Sequence, residues 1–192
     1  SSSSVYGGNT SLPYSERNSV DHPVSIYAAT KKANELYAHC YSHLYSLPIT
    51  GLRFFTVYGP WGRPDMAYFT FTKKILNDKI IEVYDNGNVE RDFTYIDDII
   101  SGIKSSISKN FNNQIFNLGN SKKEKVLSII KIVEKRLDKK ARVKLKPLKA
   151  GDVSITNADI SKSQKMLNYN PKVNIKKGLN NFIDWYLSYY KV

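Results

Sequence analysis

An α/β fold with parallel strand pairing is the expectation for this chain, and three observations predict it. Short apolar runs alternate along it with longer segments whose apolar residues recur at helical spacing. No internal repeat and no low-complexity linker interrupts that alternation. The 192 residues are 41% hydrophobic, enough to bury a real core.

The elements are read in order. Ser1–Tyr6 is expected to be the end of a strand, and Gly7–Val24 a polar loop. Asp21-His22-Pro23 supplies a helix start with proline in the first turn. The helix runs from Ser25 to about Ser46, with Ala29, Ala33, Leu36, Cys40 and Leu44 on one stripe. Ile49–Phe55 reads as a buried strand. Gly59, Pro60, Gly62 and Pro64 then impose an irregular loop. Met66–Asn77 is helical, Ile80–Tyr84 a short strand and Arg91–Ile96 extended. Asp97 is placed to cap a helix reaching about Ser108. Gln114–Gly119 is a strand. Lys123–Leu137 is a helix with Leu127, Ile130, Val133 and Leu137 on one face, and Ala141–Lys146 alternates as a strand. Helices near Ile160–Leu167 and Ile175–Tyr190 close the sequence. There is no glycine-rich phosphate turn after a strand; Gly7-Gly8 is the one Gly-Gly pair and lacks the spacing. A dinucleotide site of that kind is therefore expected upstream of Ser1.

Composition narrows the class. The formal net charge of +12 raises nucleic acid as a partner. The excess is mostly lysine, concentrated in Lys122–Lys149 without arginine clusters or interleaved aromatics, so it reads as a solvated face. No nucleic-acid partner is expected. No apolar run is long enough to cross a membrane, and Cys40 stands alone, which fits a reducing cytoplasm.

Tyr27 and Lys31 are the first residues that carry chemistry. Four apart on a helix, they share a face, and an ammonium beside a phenol favours phenolate. Such a tyrosine serves as base or acid towards a sugar hydroxyl. Alone the motif also fits an amphipathic helix with its lysine in water. The serines Ser1–Ser4 add a second observation, because hydroxyls at the end of a parallel strand lie where open α/β sheets hold ligands. Their bland alternative is a flexible leader.

Several separated stretches together resemble the extended short-chain dehydrogenase/reductases that modify nucleotide sugars: Ser1–Gly7, Tyr27-Ala-Ala-Thr-Lys31, "GLRFFTVYGPWGRPDMA" from Gly51, "RDFTYIDDI" from Arg91, "GDVSITNADISKSQKMLNYNPK" from Gly151 and "GLNNFIDWY" from Gly178. The chain looks most like the UDP-glucuronate 4-epimerases among them, without the family's N-terminal, glycine-rich portion. The resemblance implies the C-terminal part of a Rossmann-type doubly wound sheet plus a smaller α/β substrate-binding domain. Residues 1–60 would end the NAD-binding domain. Residues 61–192 would be mainly the UDP-sugar domain, with a return segment around 91–119.

The same resemblance implies residue roles. Tyr27 would be the base, Lys31 would hold the nicotinamide ribose, and Ser2 would bond the sugar O4, with Ser3 and Ser4 beside it. Phe55 would lie against the NAD cofactor. Thr56 and Arg63 would recognise the sugar, Arg91 and Lys149 the phosphates, Tyr84 the uracil and Asp152 the ribose. The family's dehydratases read Thr-Asp-Glu where this chain has Ser2-Ser3-Ser4, and its decarboxylases carry Glu at the place of Ser4. With neither carboxylate here, 4-epimerisation of a UDP-hexuronic acid for polysaccharide synthesis is the implied activity, in a cytoplasmic homodimer. A 4-epimerase of neutral UDP-hexoses and a non-catalytic nucleotide-sugar-binding fragment stay open. So do the plainer readings of single residues: Arg91 paired with Asp92, Tyr84 in the core, Arg63 paired with Asp65 on the surface. His39 and His43 flank Cys40 at helical spacing, but no further cluster supports a metal, and none is expected. Trp185, Tyr186, Tyr189 and Tyr190 read as core.

Overall fold

The structure, a computed structural model, describes residues 1–149 and 151–192. The elements are α1 (Ile26–Tyr45), β1 (Thr50–Phe54), β2 (Thr56–Tyr58), α2 (Ala67–Leu76), β3 (Ile80–Val83), β4 (Glu90–Tyr95), α3 (Ile96–Ile107), β5 (Gln114–Leu118), β6 (Lys123–Lys125), α4 (Val126–Leu137), β7 (Arg142–Leu145), α5 (Ser161–Leu167) and α6 (Ile175–Tyr190). This is the mixed α/β arrangement expected. The pairs β1–β5, β2–β4 and β3–β7 are parallel, and β6 adds antiparallel to β4.

Two apolar cores organise these elements. One gathers Val5, Tyr6, Phe55, Phe116, Leu118, Ala158 and Leu167. The other gathers Tyr58, Tyr68, Phe93, Ile129, Val133 and Phe182. The chain first passes between them just after β1. β1 ends at Phe54, the Phe55 amide donates to the Leu118 carbonyl at 3.1 Å, and Thr56 opens β2 in the next sheet. Large residues on β2 and β4 then face α2 and α6: Tyr58 packs edge-on against Tyr68 and Phe93.

Several local expectations are corrected. Ser1–Tyr6 contributes a single bridge, Ser2 to Phe54, and then curls into a 3-10 turn over Ser3–Tyr6, because the Ser2 hydroxyl captures the Ser4 amide at 3.2 Å. α1 is capped by Ser25, whose hydroxyl accepts from the Ala28 amide, and not by the Asp21–Pro23 stretch. Its expected apolar stripe stays in water: Leu36, Cys40 and Leu44 are exposed, while only Ala28 and Glu35 of the helix are buried. β1 is mostly half-buried. Lys123–Lys125 pairs with β4 as a strand before α4 begins. Asp97 and Asp98 do not cap α3; the buried Asp98 carboxylate accepts from the amides of Lys172 and Val173, both at 3.0 Å. Trp185 is only half-buried and Tyr189 and Tyr190 are exposed, so of the four C-terminal aromatics only Tyr186 is core.

Candidate active site

The serines, the start of α1 and the segment after β1 converge. Capping by Ser25 places Tyr27 in the first turn of α1, where its ring is 52% exposed. The Lys31 Nζ lies 5.5 Å from the centroid of that ring, so the two share a face as the spacing predicts. Ser2 is buried beside Phe54, and its hydroxyl hydrogen bonds to that of Ser4 at 3.3 Å. Tyr27, Ser1–Ser4, Thr56 and Arg63 line one cavity of about 530 Å³, roofed by the Gly59–Gly62 loop. Phe55 borders the same cavity, but its ring is buried in the first core, so it presents little surface to a cofactor.

Chain flexibility at two glycines builds the loop. Gly59 has φ 146°, and a Cβ there would sit 2.6 Å from Ile96 Cγ2. A Cβ on Gly62 would sit 1.7 Å from the Tyr68 hydroxyl. Arg63 is exposed and pairs with Asp65 at 3.4 Å, donating also to Met66 Sδ at 3.5 Å. It stands at the cavity edge in the surface pair that was its plainer reading.

A second cavity of about 520 Å³ is lined by Tyr84, Arg91, Lys149 and Asp152. Two distant stretches of the sequence thus meet in one place. Lys149 Nζ lies 4.2 Å from the centre of the Tyr84 ring. Tyr84 is half-buried at the cavity wall and not core. Arg91 does not pair with Asp92. Its Nη2 donates to Asp152 at 2.8 Å, and its Nη1 donates to the carbonyls of Ser154 and Glu90. Only 15% of the Arg91 side chain is exposed. Burial pulls the guanidinium below its ordinary pKa, and the Asp152 carboxylate opposes this without cancelling it. An incompletely offset buried cation facing a cavity suits a phosphate. A smaller cavity of about 140 Å³, bordered by Ser3, Ser4, Arg91 and Asp152, lies between the two large ones, and Thr56 lines all three.

The roles of three residues escaped the sequence reading. Glu35, four after Lys31, takes a two-pronged bond from Arg53 of β1 at 2.8 and 2.9 Å, and its Oε1 accepts from Ser1 Oγ at 2.6 Å. The Tyr-Lys-Glu spacing of four was the available signal. Asp92 is fully buried and gathers four donors. Trp61 sits in the loop at a left-handed φ of 62°. Among the described residues, no group of three His, Cys, Asp or Glu side chains is placed to hold a metal ion. No helix among them is long and apolar enough to cross a membrane.

Comparison with known proteins sets this geometry in a family. Residues 1–119, more than half of the chain, match the model of the NAD dependent epimerase/dehydratase family. The chain belongs to that family. Among its relatives, an uncharacterized protein of Methanocaldococcus jannaschii, MJ1055, is 58% identical over 97% of the chain and 57% of its own length. UDP-glucuronate 4-epimerase 4 of Arabidopsis thaliana is 49% identical over 99% of the chain and 47% of its own length. The crystal structure of a UDP-glucuronic acid 4-epimerase from Bacillus cereus with UDP-glucuronic acid and NAD superposes with a TM-score of 0.93. It is 38% identical over 99% of the chain and 60% of that protein. The chain therefore spans about half to three-fifths of the length of the proteins it matches.

Proposed function

We propose that the natural protein interconverts UDP-glucuronate and UDP-galacturonate by NAD-dependent 4-epimerisation. The observation that carries this reading is the run of three neighbouring cavities sharing Thr56, with a phenol–ammonium–serine cluster at one end and a cationic, aromatic wall at the other. A nucleotide sugar is a molecule of that pattern: an anionic diphosphate joins a flat base to a sugar. The likeness to UDP-glucuronate 4-epimerases supports the choice of sugar.

The residues divide the work. Tyr27 takes the proton from the sugar O4 and returns it, Lys31 stands beside it on the same helix face, and Ser2 holds O4 by a hydrogen bond. Arg91 and Lys149 grip the diphosphate, Tyr84 packs on the uracil, and Asp152 exchanges Arg91 for the ribose hydroxyls. With the nucleotide end fixed, the oxidised sugar is free to present its other face. The open phenol–ammonium pair beside the 530 Å³ cavity fits the ribose end of NAD, with Tyr27 and Lys31 as the holding residues and Phe55 as part of the wall behind. NAD, when bound, accepts and returns the C4 hydride. The first core would then be the end of the NAD-binding domain, and the second core, which keeps Phe93 and Tyr95, the UDP-sugar domain; of the return segment around 91–119, Ile99, Phe116 and Leu118 reach the first core, as does the Ala158–Tyr169 segment. A cytoplasmic homodimer serving polysaccharide synthesis accompanies this reading.

A second reading, epimerisation of neutral UDP-hexoses, is favoured by the Arg63–Asp65 pair, which leaves Arg63 already partnered. One experiment separates the two in the natural full-length chain with NAD saturating. A charged hydrogen bond contributes roughly 1.5–3 kcal/mol, so Arg63→Ala should lower kcat/KM for UDP-glucuronate about 10- to 150-fold and affect UDP-glucose far less. Equal losses on both sugars, or a wild-type preference for UDP-glucose, would move the assignment to the neutral hexoses. Tyr27→Phe, run alongside, should cost about 10²–10⁴-fold in kcat, and near wild-type turnover would sink both readings.

A further inference from the structure

Trp61 is the one large aromatic on the loop between β2 and α2, and its conformation needs an explanation. A bulky side chain at a left-handed φ of 62° is a strained backbone state that persists only where its surroundings enforce it. The flanking glycines do part of this: the backbone on either side is pressed against Ile96 and the Tyr68 hydroxyl. The rest comes from the far end of the chain. The Trp61 ring meets the Trp185 ring at 5.2 Å between centroids and the Tyr189 ring edge-on at 5.0 Å, both on α6. Trp185 and Tyr189 are themselves stacked at 5.3 Å and 21°, so they form a two-ring shelf. That shelf is fixed from below, because Trp185 packs on Phe69 and Phe182 of the second core.

What the shelf holds is the loop that roofs the cavity. Trp61 lies two residues before Arg63, and both border the cavity that contains Tyr27 and Ser2, whereas Trp185 and Tyr189 do not. At 73% exposed, Trp61 gains little from burial, so an explanation as a core residue fails.

We propose that Trp61, docked on Trp185 and Tyr189 of α6, is a latch that fixes the Gly59–Arg63 loop where Arg63 can meet a charged sugar, making the aromatic end of α6 a determinant of selectivity. Trp185 and Tyr189 are positioning residues: they act through Trp61 on Arg63 and leave the proton-transfer end untouched. The latch rests on the proposed preference for a hexuronic acid. It adds that this preference is set partly outside the cavity.

The test uses the natural full-length chain with NAD saturating and variants outside the cavity, Tyr189→Ala and Tyr189→Ala/Trp185→Leu, with Tyr189→Phe as the conservative rescue. Binding of UDP-glucuronate and UDP-glucose by calorimetry is the main readout. The ratio of their affinities should fall roughly tenfold in Tyr189→Ala and further in the double variant, with Tyr189→Phe near wild type. kcat on UDP-glucose should stay within about twofold of wild type, which a general loss of folding would not allow. Fluorotryptophan labelling gives an independent signal: the ¹⁹F resonance of Trp61, assigned by its disappearance in Trp61→Phe, should move in Tyr189→Ala. An unmoved Trp61 resonance overturns docking, and a moved resonance with an unchanged affinity ratio overturns the role in selectivity. A wild-type protein that binds the two sugars equally overturns the functional reading together with this selectivity role, while the resonance still decides the docking by itself.

Discussion

Glu35 carries the chemistry of a single residue furthest. Its carboxylate and the Arg53 guanidinium are both almost wholly out of water. Burial by itself would raise the Glu35 pKa, but hydrogen bonds from Arg53 and Ser1 outweigh it and hold the carboxyl below its ordinary 4.5. The sign follows: a folded-state value below the unfolded one means that this stabilisation is fully present above about pH 4.5 and is lost as pH falls through the folded value. Removing one partner strands the other charge, so Glu35→Ala should cost about 3–5 kcal/mol in denaturant unfolding at pH 7. The difference from wild type should shrink as the melts are taken down towards pH 3, and a constant difference would mean that packing alone is lost. The same residue shows where sequence reading stops. That Tyr27 and Lys31 share a face was legible because it follows from a spacing, and that Arg91 meets Tyr84, Lys149 and Asp152 at one cavity was implied by the resemblance of their stretches. The ion pair of Arg91 with Asp152 was not legible, and the adjacent Asp92 stood as the plainer alternative, since a contact 61 residues away leaves no local trace.

Among elements, the connection between β4 and its neighbours depends on what Asp92 does from inside. Its Oδ1 accepts from the Asn120 amide at 2.7 Å and from the Thr94 hydroxyl at 3.2 Å. Its Oδ2 accepts from the amides of Ser121 at 2.9 Å and Ala158 at 3.0 Å. One side chain thereby ties β4 to the turn after β5 and to the segment leading into α5. Burial pushes its pKa up to about 6 against those four donors. Here the sign is opposite to that of Glu35: a raised folded-state value makes the residue's contribution fall as pH rises from 3.8 through about 6. Asp92→Asn keeps the shape but turns an NH₂ towards backbone N–H groups. Each buried group left without its bond costs about 1–3 kcal/mol, so thermal melts at pH 7 should show the variant less stable by about 2–4 kcal/mol. A variant as stable as wild type would show that the donors are satisfied elsewhere. Elements themselves were read well where periodicity is strong, as for α2 and α6, which match to within a residue or two. The reading failed where a face is decided by what packs on it. The spacing of Leu36, Cys40 and Leu44 makes an apolar stripe, yet nothing among the described residues covers it.

For the whole molecule, the two cores and the switch at Phe55–Thr56 accompany a candidate site that is a cleft: the proposed catalytic end lies beside one core and the proposed nucleotide end beside the other. The alternation of strands and helices gave away the class, but not that the residues from Ala158 to Tyr169 return to the first core, because burial there depends on distant partners. A dinucleotide pyrophosphate is held by backbone amides at a glycine-rich turn, and the 192 residues contain none. Calorimetry on this chain alone should therefore detect no NAD binding tighter than the millimolar range, and a micromolar dissociation constant would overturn the expectation that the pyrophosphate is held outside these 192 residues. The Arg91–Asp152 bridge has a consequence for how a guest arrives. Asp152 already occupies Arg91 Nη2, so under the proposed grip of Arg91 on a diphosphate, loading would be a swap of one anion for another and not the filling of a bare cation. Stray inorganic phosphate must displace a tethered competitor that never diffuses away. A nucleotide sugar bound as proposed would displace it and give the evicted carboxylate new work on its own ribose, which favours a visitor that brings a second handhold.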